Sequence, residues 1–160
     1  IVRVHPEILT KYQRVPKELT GDLSKVWEGR YQSIREHESH LENNGTRVVK
    51  FFLNVSKEEQ KRRFVDRIDR EEKNWKFNEG DVKERAYWDD YQEAYQDTIN
   101  ATATANTPWY VIPADDKLNM RLICSQILLN EMKTLDICYP KVDDERKADL
   151  QKFRKDLMGE

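Results

Sequence analysis

The spacing of hydrophobic positions changes along the chain, and each change marks an element. From Leu23 to Asn43, Trp27, Tyr31, Ile34, Glu38 and Leu41 recur three or four apart. That is a helical period, and Asn43-Asn44-Gly45 supplies its stop. Val48, Val49, Phe51, Phe52, Leu53 and Val55 then form an almost unbroken apolar run, which predicts a strand Arg47–Val55 covered on both faces. Ser56 follows, with Glu59 three residues later, a capping box that opens a helix Lys57–Arg70 with Phe64, Val65 and Ile68 turned inward. Asp81 and Glu84 repeat the box, so Asp81 is expected to cap the next helix, whose ridge of Tyr87 or Trp88, Tyr91 and Tyr95 reads as core.

Beyond the small polar stretch Ala101–Thr107, Pro108 opens a second strand, Trp109–Pro113, and Asp115 or Asp116 caps a helix from Lys117 to about Leu135. Leu150, Phe153 and Leu157 give a charged amphipathic tail, helical over about 143–158, able to dock on the body or on a neighbouring subunit. At the other end, Ile1-Val2-Arg3-Val4 reads as the end of a strand that Pro6 stops, with His5 at the turn. Pro16 and Gly21 punctuate a polar connector.

Charged residues make up 36% of the 160-residue chain, yet the net charge is only -2. No global basic field exists for nucleic acid or a membrane surface, so any anion site is local. Such a cluster follows the first strand: Lys61, Arg62, Arg63, Arg67, Arg70, Lys73 and Lys76, the last beside Trp75. A strand that ends where a helix begins is a common place for a phosphate or nucleotide site. Arg63 and Arg67, four residues apart, project from one face. The same helix carries Glu59, Asp66 and Asp69, so a surface helix laced by ordinary ion pairs is the competing reading. Cys124 and Cys138 lack zinc spacing and make a poor disulfide framework, which points to a reducing cytoplasm. No apolar run approaches a membrane span, and no signal peptide is visible. His37 and His40 share a helix face without a third ligand and read as solvated. No metal ligand is assigned.

In order along the chain, KFFLNVSKEEQKRRF, NWKF, ERAYWDDYQEAY and PWYVIPADDK resemble the consecutive C-terminal motifs of the polyphosphate kinase 2 family, over about Val2 to Pro140. The resemblance implies a P-loop kinase-like fold, a three-layer α/β/α domain with a mostly parallel sheet. Residues 1–160 would be the C-terminal portion of that single domain, with a helical lid at about 56–80. It implies phosphoryl transfer between inorganic polyphosphate and nucleoside mono- or diphosphates, with magnesium assisting an in-line displacement. PWYVIPADDK is most similar to the branch that phosphorylates both mono- and diphosphates. In this resemblance Lys61 to Lys76 belong to the lid, and Arg63 and Arg67, in R-R-F-x-x-R, are the expected catalytic donors. Lys61, Arg62, Arg70, Lys73 and Lys76 would hold polyphosphate or nucleotide phosphates. Arg85 and Asp89, in E-R-x-x-W-D-D, are expected to form a structural i,i+4 pair.

One departure stands against these matches. No G-x-x-x-x-G-K-[ST] loop is present, and none of the five glycines precedes a Gly-Lys pair. In the family, the P-loop and the Asp-bearing second-strand motif lie N-terminal to the segment matched here. The chain is therefore expected to be the C-terminal part of a longer kinase, inactive alone, with the magnesium ligands outside it. Expected partners are polyphosphate and nucleotides, with neither nucleic acid nor membrane, in a homo-oligomer. Two alternatives stand beside this one: a non-catalytic anion-binding or assembly module without a P-loop, and an ATP-dependent nucleoside monophosphate kinase.

Overall fold

The computed structural model of the protein describes residues 1–12, 15–19 and 21–159. Its residues divide into two units, Ile1–Leu128 and Leu129–Glu160. The first contains a short helix α1 (Glu7–Tyr12), a long helix α2 (Leu23–Asn43) and two strands, β1 (Lys50–Asn54) and β2 (Trp109–Pro113). The strands pair parallel from Lys50↔Trp109 to Asn54↔Pro113. Parallel pairing needs a long crossover. Here it is supplied by α3 (Lys57–Asp69), a 3-10 turn Glu71–Lys76, α4 (Glu79–Glu84), a second 3-10 turn Arg85–Tyr87 and α5 (Trp88–Thr102). Helix α6 (Lys117–Thr134) follows β2. The architecture is α/β, and the sheet has two strands among the described residues.

Helix α2 begins where Asp22 accepts a hydrogen bond from the Ser24 N–H, and it ends at Asn44 and Gly45, the latter at a φ of 84° that glycine tolerates. Leu9, Val26, Ile112 and Ala114 form the apolar core. Between α2 and the sheet lies a buried polar cluster. The Lys50 ammonium donates to Glu38 Oε2 at 2.7 Å, to the Thr102 carbonyl at 2.8 Å and to Thr107 Oγ1 at 3.4 Å. Thr107 Oγ1 also donates to Glu38 Oε2 at 2.9 Å, and the Lys50 and Glu38 side chains are only 9% and 11% exposed. Trp109 Nε1 donates to Thr102 Oγ1 at 2.9 Å, closing the cluster onto β2.

Several expectations change. Ile1–Val4 is a turn, with the Val4 and His5 N–H groups both donating to the Ile1 carbonyl. Those local bonds use the donors that a strand would have spent on a neighbour. The helix expected to start at Asp81 starts earlier, because Asn78 is itself a good cap and accepts from the Gly80 N–H at 2.8 Å. Val65 and Ile68 are 46% and 52% exposed, and Leu53 and Val111 are also about half exposed. The two strands found among the described residues offer too little apolar surface to cover α3 or to be covered on both faces themselves.

The second unit holds the end of α6 and the helix α7 (Asp144–Gly159), capped by Asp143, which accepts from the Arg146 N–H at 2.7 Å. Leu150, Phe153 and Leu157 of α7 are exposed. Among the described residues no helix is long and apolar enough to cross a membrane.

The buried cluster predicts a specific stability response. Lys50→Met leaves the Glu38 carboxylate buried without its cation, and chemical denaturation should show a loss of about 3–5 kcal/mol. Adding Glu38→Leu should recover most of it. A Lys50→Met cost below about 1 kcal/mol would place the pair among inconsequential surface bridges.

Candidate functional site

The carboxyl ends of β1 and β2 are cross-linked before their helices begin. The Ala114 N–H donates to the Asn54 carbonyl at 2.9 Å. Asp115 Oδ1 accepts from the Ser56 N–H at 2.7 Å, joining the two strand-to-helix junctions. Asp116, not Asp115, caps α6, accepting from the N–H groups of Leu118 and Asn119. Ser56 Oγ caps α3 through the Glu59 N–H at 3.1 Å. The Glu59 carboxylate does not return to the cap. It takes two bonds from Arg62, at 2.6 and 2.7 Å, and one from Arg63 Nε at 2.7 Å. These two guanidiniums pull its pKa down to about 2.

Beside this junction β1, α3, α4 and α5 enclose a cleft of about 650 Å³. Arg63, Arg67 and Arg85 border it together with Phe52, Trp88 and Tyr91. The two expected catalytic arginines therefore share a cleft, but their circumstances differ. Arg63 Nη2 donates to the carbonyls of Ala114, at 2.6 Å, and Asp115, at 3.2 Å. With Nε on Glu59, much of its fork clamps α3 to the end of β2. Arg67 lies over the Phe64 ring, 5.6 Å from its centroid, and has no ion pair among the described residues.

The other expected phosphate contacts do not border this cleft. Arg62 is turned to Glu59, Arg70 to Glu72 at 2.7 Å and to Asp66 at 3.8 Å, and Lys73 to Asp66 at 2.6 Å. For these three the ion-pair-laced surface helix is the geometry observed. Lys61 is exposed, and Lys76 sits 4.8 Å from the ring centroid of Trp75, itself 79% exposed.

Arg85 is the cleft cation that sequence reasoning assigned elsewhere. It forms no pair with Asp89; its Nη1 donates to the Lys57 carbonyl and to Gln60 Oε1, both at 2.8 Å. Its place in the E-R-x-x-W-D-D pattern was the available signal. The aromatic ridge is likewise cleft wall and not core: Trp88, Tyr91 and Tyr95 line it, with Tyr95 against Phe52 at a centroid distance of 4.9 Å. A ridge at helical spacing is the same in sequence whether it faces a core or a cleft. Tyr91 donates to Glu84 Oε2 at 2.7 Å, and burial, followed by that carboxylate, raises the phenol's pKa to about 12.

Magnesium prefers carboxylates converging with water on an octahedral set. Among the described residues no group of three or more His, Cys, Asp or Glu side chains could hold a metal ion. Asp115 and Asp116 are spent on backbone N–H groups and Glu84 on His5 and Tyr91. These residues do not fit a magnesium site.

The Glu59 cluster yields a pH prediction. A depressed pKa means that the Arg62–Glu59–Arg63 contribution is fully present above the unfolded value, near 4.5, and fades as pH falls toward 2. Carboxyl-carbon NMR of Glu59 should titrate with a midpoint near 2, moving up toward the ordinary range in Arg63→Ala. A midpoint in the ordinary range in the unmodified protein would contradict the clamp.

Comparison with known proteins agrees with this architecture. The family model Polyphosphate kinase 2 matches residues 10–139. An ADP-polyphosphate phosphotransferase of Rhodopseudomonas palustris is 49% identical over 158 residues, covering 99% of this chain and 54% of that protein. An AMP/ADP-polyphosphate phosphotransferase of Meiothermus ruber is 45% identical over 117 residues, 73% of this chain and 44% of that protein. The crystal structure of polyphosphate kinase 2 from Arthrobacter aurescens superposes with a TM-score of 0.75 at 41% identity, covering 81% of this chain and 47% of that one. The chain thus spans about half the length of these relatives. Matched by the family model over residues 10–139 and 49% identical to a relative over 158 residues, the chain belongs to the polyphosphate kinase 2 family.

Proposed function

We propose that the protein carrying this chain transfers phosphoryl groups between inorganic polyphosphate and nucleoside mono- or diphosphates, and that this chain supplies the arginine side of the site. The observation that carries the proposal is the cleft itself. Arg67 and Arg85 stand with Arg63 at the carboxyl end of a parallel strand pair, and no carboxylate among the described residues is paired with Arg67. The names of the Rhodopseudomonas and Meiothermus relatives, which specify ADP and AMP/ADP, support the acceptor class.

In this reading Arg67 gives N–H donors to the phosphoryl group in flight, whose charge spreads over its equatorial oxygens. Donors already in place stabilise that charge without reorganising. Arg63 contributes its remaining donors while fixing α3 to Ala114 and Asp115. Arg85 holds the far wall and offers its other nitrogens. Residues of about 56–80 act as the lid: α3 and the turn Glu71–Lys76 are tied to each other by Lys73–Asp66 and by Asn74 Nδ2, which donates to the Arg67 and Ile68 carbonyls. Lys61 and Lys76 serve as outer point charges for the polymer, while Arg62, Arg70 and Lys73 must first exchange their carboxylates for phosphate. The enzyme works in the cytoplasm, as the unpaired Cys124 and Cys138 suggest, and as a homo-oligomer to which the exposed stripe of α7 contributes.

In the full-length protein, Arg67→Ala should lower turnover by roughly a hundredfold or more, the scale of losing a donor to the transition state. Arg70→Ala, which removes only a partner of Asp66 and Glu72, should do much less. Steady-state assays with polyphosphate and ADP compare the two. Small and equal effects would favour the non-catalytic, ion-pair-laced surface helix.

A further inference from the structure

The cleft wall carries an anion beside its cations. Glu84 borders the same cleft as Arg67 and Arg85, one residue before Arg85 in the chain. An ionised carboxylate there would ordinarily pair with the nearest guanidinium. It does not. The polar partners of Glu84 are His5, whose Nε2 lies 2.8 Å from Oε2, and the Tyr91 hydroxyl, 2.7 Å from the same oxygen. A carboxylate can only accept, so both partners donate, and His5 carries its hydrogen on Nε2.

Each partner is itself held. The His5 ring packs edge-on against Tyr87 at 4.8 Å, and its Nδ1 lies 3.5 Å from Glu7 Oε1. Its side chain is 17% exposed. Tyr91 sits one turn into α5, 6.2 Å from the Tyr95 ring. The bonds from Tyr91 and His5 also keep Glu84 below the usual carboxylate range, so it stays charged at neutral pH. Meanwhile Arg85 spends Nη1 on Lys57 and Gln60, and Arg67 rests on Phe64. His5 and Tyr91 therefore occupy Glu84, which with Asp81 is one of two carboxylates bordering the cleft, beside arginines that lack an acidic partner among the described residues.

We infer that the Tyr91–Glu84–His5 chain is a restraint that keeps the Glu84 carboxylate off Arg67 and Arg85, leaving their donors available to an incoming oligophosphate. His5 and Tyr91 are positioning residues in this scheme, acting on phosphate through Glu84. Released from its two donors, Glu84 becomes an internal competitor of the phosphate chain for the same guanidiniums. The inference rests on the polyphosphate reading above.

The test is calorimetric titration of tripolyphosphate into the full-length protein. The double variant His5→Gln/Tyr91→Phe should bind about fivefold more weakly, the scale of a partly exposed ion pair competing for the site. Adding Glu84→Gln removes the competitor and should restore affinity to within about twofold of the unmodified protein. Glu84→Gln alone should bind at least as tightly as the unmodified protein. If the double variant melts below the assay temperature, Tyr91→Phe with and without Glu84→Gln gives the same comparison at smaller amplitude. A loss that Glu84→Gln does not restore means that the chain merely scaffolds the wall, and overturns the restraint. So does affinity unchanged in the double variant. An unmodified protein that fails to bind tripolyphosphate overturns the polyphosphate reading itself.

Discussion

Lys50 is the fixed point on which the first unit is built. Its ammonium reaches Glu38 of α2, the last turn of α5 through the Thr102 carbonyl, and Thr107 just ahead of β2. Those three groups come from stretches 12, 52 and 57 residues away in sequence. An apolar contact could pack the same elements, but it would not choose one arrangement among many. A buried ammonium must find acceptors and a buried carboxylate must find donors, and both needs are met only with β1, α2, α5 and β2 in this register. The apolar core has only four buried hydrophobic side chains among the described residues, so this polar cluster bears much of the specification.

With the start of β1 fixed, its far end is fixed too. Asn54 and Ser56 meet Ala114 and Asp115 through one backbone–backbone bond and one from the Ser56 N–H to the Asp115 carboxylate, and Arg63 adds a third tie from two helical turns further on. The cleft inherits its shape from these ties. The first two turns of α3 are fastened to the body, while the stretch bearing Val65, Ile68 and Trp75 is exposed. A fixed root and an exposed far end are what the proposed lid would require in order to open and close over its ligands.

The fold was legible wherever local chemistry decides it. The helical period at Trp27, Tyr31, Ile34, Glu38 and Leu41, the Ser56 cap and the apolar run through Phe51 to Leu53 all gave the elements that form. Glu38 even fell on the inward stripe, a carboxylate in need of a cation. What sequence could not supply was the partner, because Lys50 is brought to Glu38 by the turn at Gly45 and the strand, not by spacing. The same limit applies to Arg85, whose i,i+4 relation to Asp89 is favourable on any exposed helix but loses to Lys57 and Gln60 across a tertiary contact. It applies again to Asp81, where two adequate caps compete within one turn and Asn78 wins. Arg63 and Arg67 look equivalent as written, four residues apart; only the position of the Ala114 carbonyl separates a clamp from a free donor.

If the cationic stretch about 56–80 acts as proposed, it tracks a chain of several phosphates, while a nucleotide engages only the cleft. Each phosphate neutralised in a linear polyanion releases condensed counterions, so its affinity falls steeply with salt. The most direct measurement is the binding of long-chain polyphosphate and of ADP to the full-length protein at three salt concentrations. A markedly steeper loss for polyphosphate, flattened by charge reversal at Lys73 and Lys76 while ADP binding is nearly unchanged, is the predicted result. Parallel, shallow salt dependences for the two ligands would contradict it.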